Sequence, residues 1–231
     1  NDNFEKFDTS FDVLIIDEAQ DYSSLFWPTF ELLTENKKWF LFYDTRQAIT
    51  HRDWELPEIN NKSWTTFPLT KYLRSTKEIS QQVLKVYGDE NSASAISGLD
   101  PQYIQLKNKG WEEGLDALVQ VLTGLFETEK YHASQVQILI PHSRYLEEVE
   151  QAAYKPNLKV GAIKEVKIES IHKFKGLESE VVVMILPSVE SLESETTSDI
   201  KSLIYVGMSR ATSLLIIIGD QEVKALANWS P

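Results

Sequence analysis

The length, composition and charge of the chain set its broad class. Its 231 residues include no cysteine, which excludes disulfides and thiolate metal sites, and 42% are hydrophobic, which is enough for one or two buried cores. No apolar stretch approaches the roughly 20 residues that a membrane-spanning helix needs, so we expect a cytoplasmic protein with no membrane partner. The net charge of −12 argues against strong nucleic-acid binding by the whole surface but leaves room for a local basic patch.

Strand and helix patterns alternate along the chain and predict a three-layer α/β fold with mostly parallel strands. The predicted strands are Val13–Ile16, Trp39–Tyr43, Trp64–Pro68, Val136–Ile140, Val166–Ser170, Val181–Leu186 and Leu214–Ile218. Helices are predicted after Ser23 or Ser24, after a capping box of Ser75 and Glu78, from about Trp111 to Lys130, after Ser143, from Ser198 to Arg210 and after Asp220.

The first predicted strand ends in a cluster of acids, D-E-A-Q-D at Asp17–Asp21. The apolar run Val13–Ile16 before it is typical of a strand buried on both faces of a parallel sheet. Ligands bind beyond the carboxyl ends of such strands, where Asp17 and Glu18 would lie. Asp17 is suited to the coordination shell of Mg²⁺, and Glu18 is suited to polarise a water molecule. The alternative is a strand that simply ends in solvated acids.

Two polar clusters follow farther along the chain. The second predicted strand leads into Asp44–Gln47, where Gln47 can orient a water or touch a terminal phosphate; the alternative is a simple turn. Arg74 precedes a predicted helix and can bridge phosphate oxygens with two N–H groups; the alternative is a surface ion pair.

The densest basic segment, S-I-H-K-F-K-G-L-E, follows the fifth predicted strand. Its Ser170, His172 and Lys173 are suited to contact a nucleic-acid backbone. Gly176 permits a close backbone approach, and Glu178 can accept hydrogen bonds from a ribose hydroxyl. A loop without a binding role is the alternative.

A last cluster, Y-V-G-M-S-R-A at Tyr205–Ala211, closes a predicted helix. Arg210 near the C-terminus of that helix has two interpretations. It either complements the helix dipole or, facing solvent, acts as an arginine finger that neutralises charge on a transferring phosphoryl group.

In this order the clusters resemble the second to sixth motifs of the superfamily 1 helicases, the UvrD/Rep/PcrA group, from about Phe11 to Gly219. The resembling segments are Asp17–Asp21, Asp44–Gln47, Leu69–Ser75, Ser170–Glu178 and Tyr205–Ala211. One departure is Leu73, which stands where the family's fourth motif has a tyrosine that stacks on the base. Members of this family use ATP and Mg²⁺ to move along single-stranded nucleic acid by means of two RecA-like domains.

The resemblance implies a role for each candidate residue. The catalytic residues would be Glu18, Gln47 and Arg210, the nucleotide-binding residues Arg74, Gly176 and Glu178, the metal ligand Asp17, and the nucleic-acid-binding residues Ser170, His172 and Lys173. It also implies a partial first RecA-like domain at residues 1–68, which holds the Walker B acids, and a second RecA-like domain at residues 69–231. ATP and Mg²⁺ are the implied cofactors, and single-stranded DNA, with RNA left open, is the implied partner.

The sequence lacks the phosphate-binding loop G-x-x-x-x-G-K-[ST] that a nucleotide-cleaving site of this type needs, because none of its nine glycines is followed by lysine. We therefore expect the chain alone to be inactive as an ATPase. We interpret it as the C-terminal part of a longer ATP-dependent DNA helicase, whose upstream segment supplies the loop. The alternative is a non-catalytic helicase-like module that mediates protein or nucleic-acid interaction.

Overall fold

A computed structural model describes residues 12–34, 37–49, 54–59, 63–88, 93–108, 110–153, 166–192 and 196–229. The chain divides into two compact units, Asn1–Pro68 and Leu69–Pro231. Within the described ranges, no helix has both the length and the apolar character that crossing a membrane requires.

The first unit is built around a two-stranded parallel sheet. Strand β1 (Val13–Ile16) pairs with β2 (Lys38–Leu41), and helix α1 (Trp27–Leu33) lies between them in the chain. The buried hydrophobic cluster of this unit consists of Ile16, Ala19, Trp27, Trp39 and Ile59. Aromatic rings therefore supply much of the core that holds β1 and β2 in place.

Strand β1 is not buried on both faces, so that prediction is wrong. Side chains alternate across a strand, and here Ile16 is buried whereas Ile15 is 65% exposed. The reason is that one face of the described sheet packs against the cluster around Trp27 and Trp39, while the other face presents Ile15 and Phe40.

The predicted strand Trp64–Pro68 is also wrong, because residues 63–70 are described and form no strand. The ring of Trp64 lies instead near that of Trp39, with 6.4 Å between centroids. Its indole Nε1 donates a hydrogen bond to the carbonyl oxygen of Pro57 at 2.8 Å. Trp64 thus serves core packing rather than sheet pairing, whereas Phe67 of the same segment is exposed.

The second unit contains a five-stranded sheet in which every pair is parallel, in the order β3–β7–β6–β4–β5. The strands are β3 (Gln102–Gln105), β4 (Val136–Ile140), β5 (Lys167–Ser170), β6 (Ser179–Leu186) and β7 (Ala211–Gly219). Four of them agree with predicted strands, and β3 was not predicted. It lies at the edge of the sheet and carries glutamine at both ends, so it lacks the apolar run of a central strand.

Helices cover both faces of this sheet. They are α2 (Lys77–Lys85), α3 (Trp111–Thr123), α4 (Leu146–Ala153), α5 (Ile171–Phe174), α6 (Thr197–Met208) and α7 (Gln221–Leu226). On one face, Leu118 of α3 shares a buried cluster with Ile138 and Val183. On the other face, Gly207 of α6 lies against Met184, the next residue of β6. The predicted three-layer α/β/α fold with a parallel sheet is therefore confirmed.

Three helix ends differ from the predicted ones. Helix α1 begins at Trp27, with Phe26 and not Ser23 or Ser24 at its N-cap position. The capping box of Ser75 and Glu78 is wrong, because α2 begins after Thr76 and the Glu78 carboxylate accepts from the backbone N–H of Gly98 at 2.7 Å. Helix α3 is followed by a wider helical turn, which spans Gly124–Thr128 within the predicted helix.

Gly219 ends β7 at a point that has no room for a side chain. A Cβ at this position would lie 2.9 Å from the carbonyl oxygen of Leu186 on the neighbouring strand and 2.6 Å from Oη of Tyr103. The Tyr103 hydroxyl is itself held, since it donates to the carbonyl oxygen of Asp220 at 2.6 Å. We expect Gly219→Ala to lower the unfolding free energy of the second unit by about 1–3 kcal/mol, as measured by urea denaturation.

Gly124→Ala is the matched control for this prediction. A Cβ at Gly124 meets nothing within 4 Å, and the φ of −58° is helical, so alanine should be neutral or stabilising by up to about 1 kcal/mol. Adding Tyr103→Phe to Gly219→Ala should recover part of the loss, because it removes the nearest atom. Equal stability of the two alanine variants would contradict the close packing at Gly219.

Candidate functional site

The acids of the D-E-A-Q-D cluster lie at the carboxyl end of β1, where the sequence predicts them. Asp17 is exposed, and its Oδ1 accepts a hydrogen bond from the backbone N–H of Glu18 at 2.9 Å. Glu18 adopts a left-handed backbone conformation with φ of +48°, which is uncommon for a residue other than glycine. A turn at Ala19–Asp21 follows directly, so the chain leaves the strand abruptly after the two acids.

Gln20 connects this end of β1 to the end of β2. Its side chain is completely buried. The amide nitrogen Nε2 donates to the Glu18 carboxylate, and the amide oxygen Oε1 accepts from the backbone N–H of Asp44 at 3.1 Å. The sequence pattern predicts no role for Gln20, although this residue belongs to the D-E-A-Q-D cluster.

The second cluster continues the same line of hydrogen bonds. Asp44 caps the short turn Thr45–Gln47, since its Oδ1 accepts from the backbone N–H of Arg46 at 2.9 Å. Its other oxygen, Oδ2, accepts from the side-chain amide of Gln47 at 2.9 Å. The structure therefore brings Glu18 and Gln47 into one network through Gln20 and Asp44, and the turn that was the alternative interpretation is also present.

In the second unit, Arg74 and Glu178 lie together although the chain separates them widely. The Nε of Arg74 is 3.1 Å from Oε2 of Glu178, and their side chains are 42% and 58% exposed. The surface ion pair that was the alternative for Arg74 is thus formed, and its partner is a second predicted nucleotide-binding residue. Gly176, two residues before Glu178, has a φ of +83° and open space beside its Cα.

The three predicted nucleic-acid-binding residues are placed differently from one another. Ser170 is buried and caps α5, because its hydroxyl accepts from the backbone N–H of Lys173 at 3.5 Å. His172 and Lys173 are exposed, and the Lys173 ammonium lies 3.7 Å from a carboxylate oxygen of Glu169. The structure therefore gives Ser170 a helix-capping role and presents His172 and Lys173 on the surface.

Arg210 is buried, so the expectation that it faces solvent is wrong. Only 1% of the residue is exposed. Its Nε donates to the carbonyl oxygen of Val206 at 3.0 Å, Nη2 donates to Oγ of Ser209 at 2.8 Å, and Nη1 donates to the carbonyl oxygen of Leu177 at 3.3 Å. The side chain folds back onto the C-terminal end of α6, which agrees with the alternative that Arg210 complements the helix dipole.

The donor atoms at the end of β1 suit Mg²⁺ only in part. Among the described residues, no group of three or more histidines, aspartates and glutamates could hold a metal ion by itself. Mg²⁺ bound with a nucleotide usually takes one or two carboxylates and completes its shell with water and phosphate oxygens. The exposed carboxylate of Asp17 fits that kind of ligand set.

The chain has relatives among known proteins. The family model described as UvrD-like helicase C-terminal domain matches residues 3–222. Among solved structures, the chain is similar to the C-terminal domain of a possible DNA helicase from Lactobacillus plantarum WCFS1, with 19% identity, a TM-score of 0.48 and coverage of 67% of this chain and 91% of that one. No curated protein matches. The resemblance inferred from the motifs is confirmed, and the chain belongs to the family of UvrD-like helicase C-terminal domains.

Proposed function

We propose that this chain is the C-terminal part of an ATP-dependent DNA helicase or translocase, in which ATP hydrolysis drives movement along single-stranded DNA. The observation that carries the proposal is the hydrogen-bonded line from Glu18 through Gln20 and Asp44 to Gln47. It lies at the carboxyl ends of two adjacent parallel strands, which is where α/β proteins bind their ligands. Membership of the helicase family supports the same activity.

In this proposal the residues of the first unit act on the nucleotide. Asp17 contributes a carboxylate to Mg²⁺, which when bound neutralises charge on the phosphates. Glu18 accepts a proton from the attacking water, and the side-chain amide of Gln47 contacts the terminal phosphate. The exposure of Asp17 and the orientation of Glu18 by Gln20 support these roles.

In the second unit, Arg74 contacts the terminal phosphate and Glu178 binds the ribose, while Gly176 allows the backbone to approach. The ion pair places Arg74 and Glu178 side by side, with 3.1 Å between Nε and Oε2, and it must open for the two side chains to reach the terminal phosphate and the ribose, which lie at opposite ends of the triphosphate. Arg210 neutralises charge on the transferring phosphoryl group, which requires its guanidinium to leave the carbonyl oxygens that it now contacts.

The nucleic-acid strand is bound near α5 in this proposal. His172 and Lys173 extend from the exposed side of this short helix, while Ile171 and Phe174 anchor its other side in the core. Ser170 acts indirectly by capping the helix. An ammonium group and an imidazole on an anchored turn can both donate hydrogen bonds to phosphates, which positions a strand without reading its sequence.

The proposal is tested by ATP turnover of the chain alone and of the same chain extended by its natural upstream segment. The chain alone should show no turnover, because it has no G-x-x-x-x-G-K-[ST] loop. The extended protein should hydrolyse ATP only with Mg²⁺ present and faster with single-stranded DNA, and a single-stranded RNA arm decides between the two nucleic acids. An extended protein that neither binds nor hydrolyses ATP would instead favour the non-catalytic module.

A further inference from the structure

The side chain of Gln20 supplies a hydrogen-bond acceptor where the backbone pairing between β1 and β2 ends. The backbone ladder runs from the N–H of Phe42 to the carbonyl of Ile16 at 2.9 Å, and from the N–H of Ala19 to the carbonyl of Phe42 at 2.8 Å. The next N–H that points from the segment after β2 towards β1 is that of Asp44. No backbone carbonyl among the described residues of the β1 segment accepts it, because the chain changes direction at Glu18. The side-chain oxygen of Gln20 accepts this N–H instead.

The polarity of the Gln20 amide is fixed by its two partners. An ionised carboxylate only accepts hydrogen bonds and a backbone N–H only donates them, so Nε2 must face Glu18 and Oε1 must face Asp44. Glutamate at position 20 would keep the acceptor and, when ionised, would lose the donor and face the Glu18 carboxylate with a like charge, whereas methionine of similar length would lose both the acceptor and the donor. Gln20 is also completely buried, so its orientation is held by packing as well.

We propose that Gln20 is a positioning residue that sets the geometry of Glu18 and Gln47 together. One hydrogen bond orients the Glu18 carboxylate. The other fixes the backbone of Asp44, whose carboxylate in turn holds the Gln47 amide at 2.9 Å. A single buried side chain thereby couples the residue proposed to activate water to the residue proposed to contact phosphate, and this inference rests on the proposed function.

The first test uses the chain as it is and needs no nucleotide. Amide hydrogen exchange followed by NMR should show that the Asp44 N–H is protected in the unsubstituted chain and in Gln20→Glu, which keeps the acceptor. The same N–H should exchange faster in Gln20→Met. Equal protection of the Asp44 N–H in Gln20→Met would overturn the inference.

The second test uses the upstream-extended protein. Gln20→Met and Gln20→Glu should each reduce kcat for ATP by roughly 10–100-fold and leave KM nearly unchanged, since Gln20 orients groups and contacts no substrate. The matched control is Gln82→Met, which replaces another buried glutamine whose amide donates to the carbonyl of Ala227 at 3.3 Å. It should reduce stability without reducing kcat.

The outcomes separate the two proposals. No turnover by the unsubstituted extended protein would overturn the proposed function, and the positioning role with it. Turnover that Gln20→Met leaves at the parental rate would overturn the positioning role alone. A fall in kcat that Gln82→Met reproduces would show general loss of stability and would also overturn it.

Discussion

Arg210→Ala should lower the unfolding free energy of the second unit by about 2–4 kcal/mol. The guanidinium is buried and donates to the carbonyl oxygens of Val206 and Leu177, two groups far apart in the chain. Alanine removes those donors and leaves a cavity between α6 and the loop after α5. The melting temperature measured by calorimetry should fall by roughly 4–16 °C, given the size of the unit.

Arg144→Ala is the matched control for this prediction, because Arg144 is an exposed arginine of the same unit. It should change the unfolding free energy by no more than about 1 kcal/mol. Arg210→Lys should fall between the two, since a single ammonium keeps the charge but cannot reach both carbonyl oxygens. Equal stability of the two alanine variants would contradict the buried hydrogen bonds of Arg210.

The proposed arginine finger adds a kinetic expectation to the structural one. In the upstream-extended protein, molecules of Arg210→Ala that remain folded should show kcat for ATP reduced by roughly 10³- to 10⁵-fold. Folding is checked by circular dichroism at the assay temperature. A folded variant that hydrolyses ATP at the parental rate would remove the finger role and leave Arg210 as a residue that ties α6 to the loop at Leu177.

Glu18→Gln should reduce kcat of the upstream-extended protein by roughly 10²- to 10⁴-fold, because a neutral amide cannot take a proton from the attacking water. The substitution keeps the shape of the side chain and an oxygen that can accept from the Gln20 amide. We therefore expect unchanged stability and an ATP dissociation constant close to the parental value. Single-turnover measurements with saturating protein separate the chemical step from binding.

Glu58→Gln is the control for Glu18→Gln, since it makes the same change at an exposed glutamate of the same unit. It should leave kcat at the parental value. Parental turnover by Glu18→Gln would exclude proton transfer at Glu18, whereas a loss of ATP binding would assign the carboxylate to nucleotide or Mg²⁺ binding.

The central strands of the second unit could be predicted because burial on both faces demands continuous apolar runs. Strands β4, β6 and β7 have such runs. The bounds of β4 are as predicted, and β6 and β7 extend beyond their predicted bounds. β3 has only Tyr103 and Ile104 between two glutamines, which is too little apolar sequence to separate it from a loop. Its pairing with β7 is a tertiary property that no local pattern contains.

The sequence predicts where the residues of the candidate site lie along the strands, but it does not predict the hydrogen bonds between them. Motif spacing placed Glu18 and Gln47 at strand ends, because parallel strands of one sheet end at the same edge. The bridge through Gln20 depends on Glu18 taking a left-handed conformation, which a glutamate seldom adopts and which the sequence does not signal. The burial of Arg210 depends on the path of the Leu177 loop, a segment that meets it only in the folded unit.

The place of β7 in the sheet has a consequence for how the second unit forms during synthesis. The register joins Gln102 of β3 to Ile216 of β7, so β3 finds its partner only after nearly the whole unit has left the ribosome. Until then the new chain carries an unpaired strand, and loop closure over this separation slows folding. Premature termination before Ala211 would leave β3 without a partner and β6 with an unpaired edge, and both would favour aggregation.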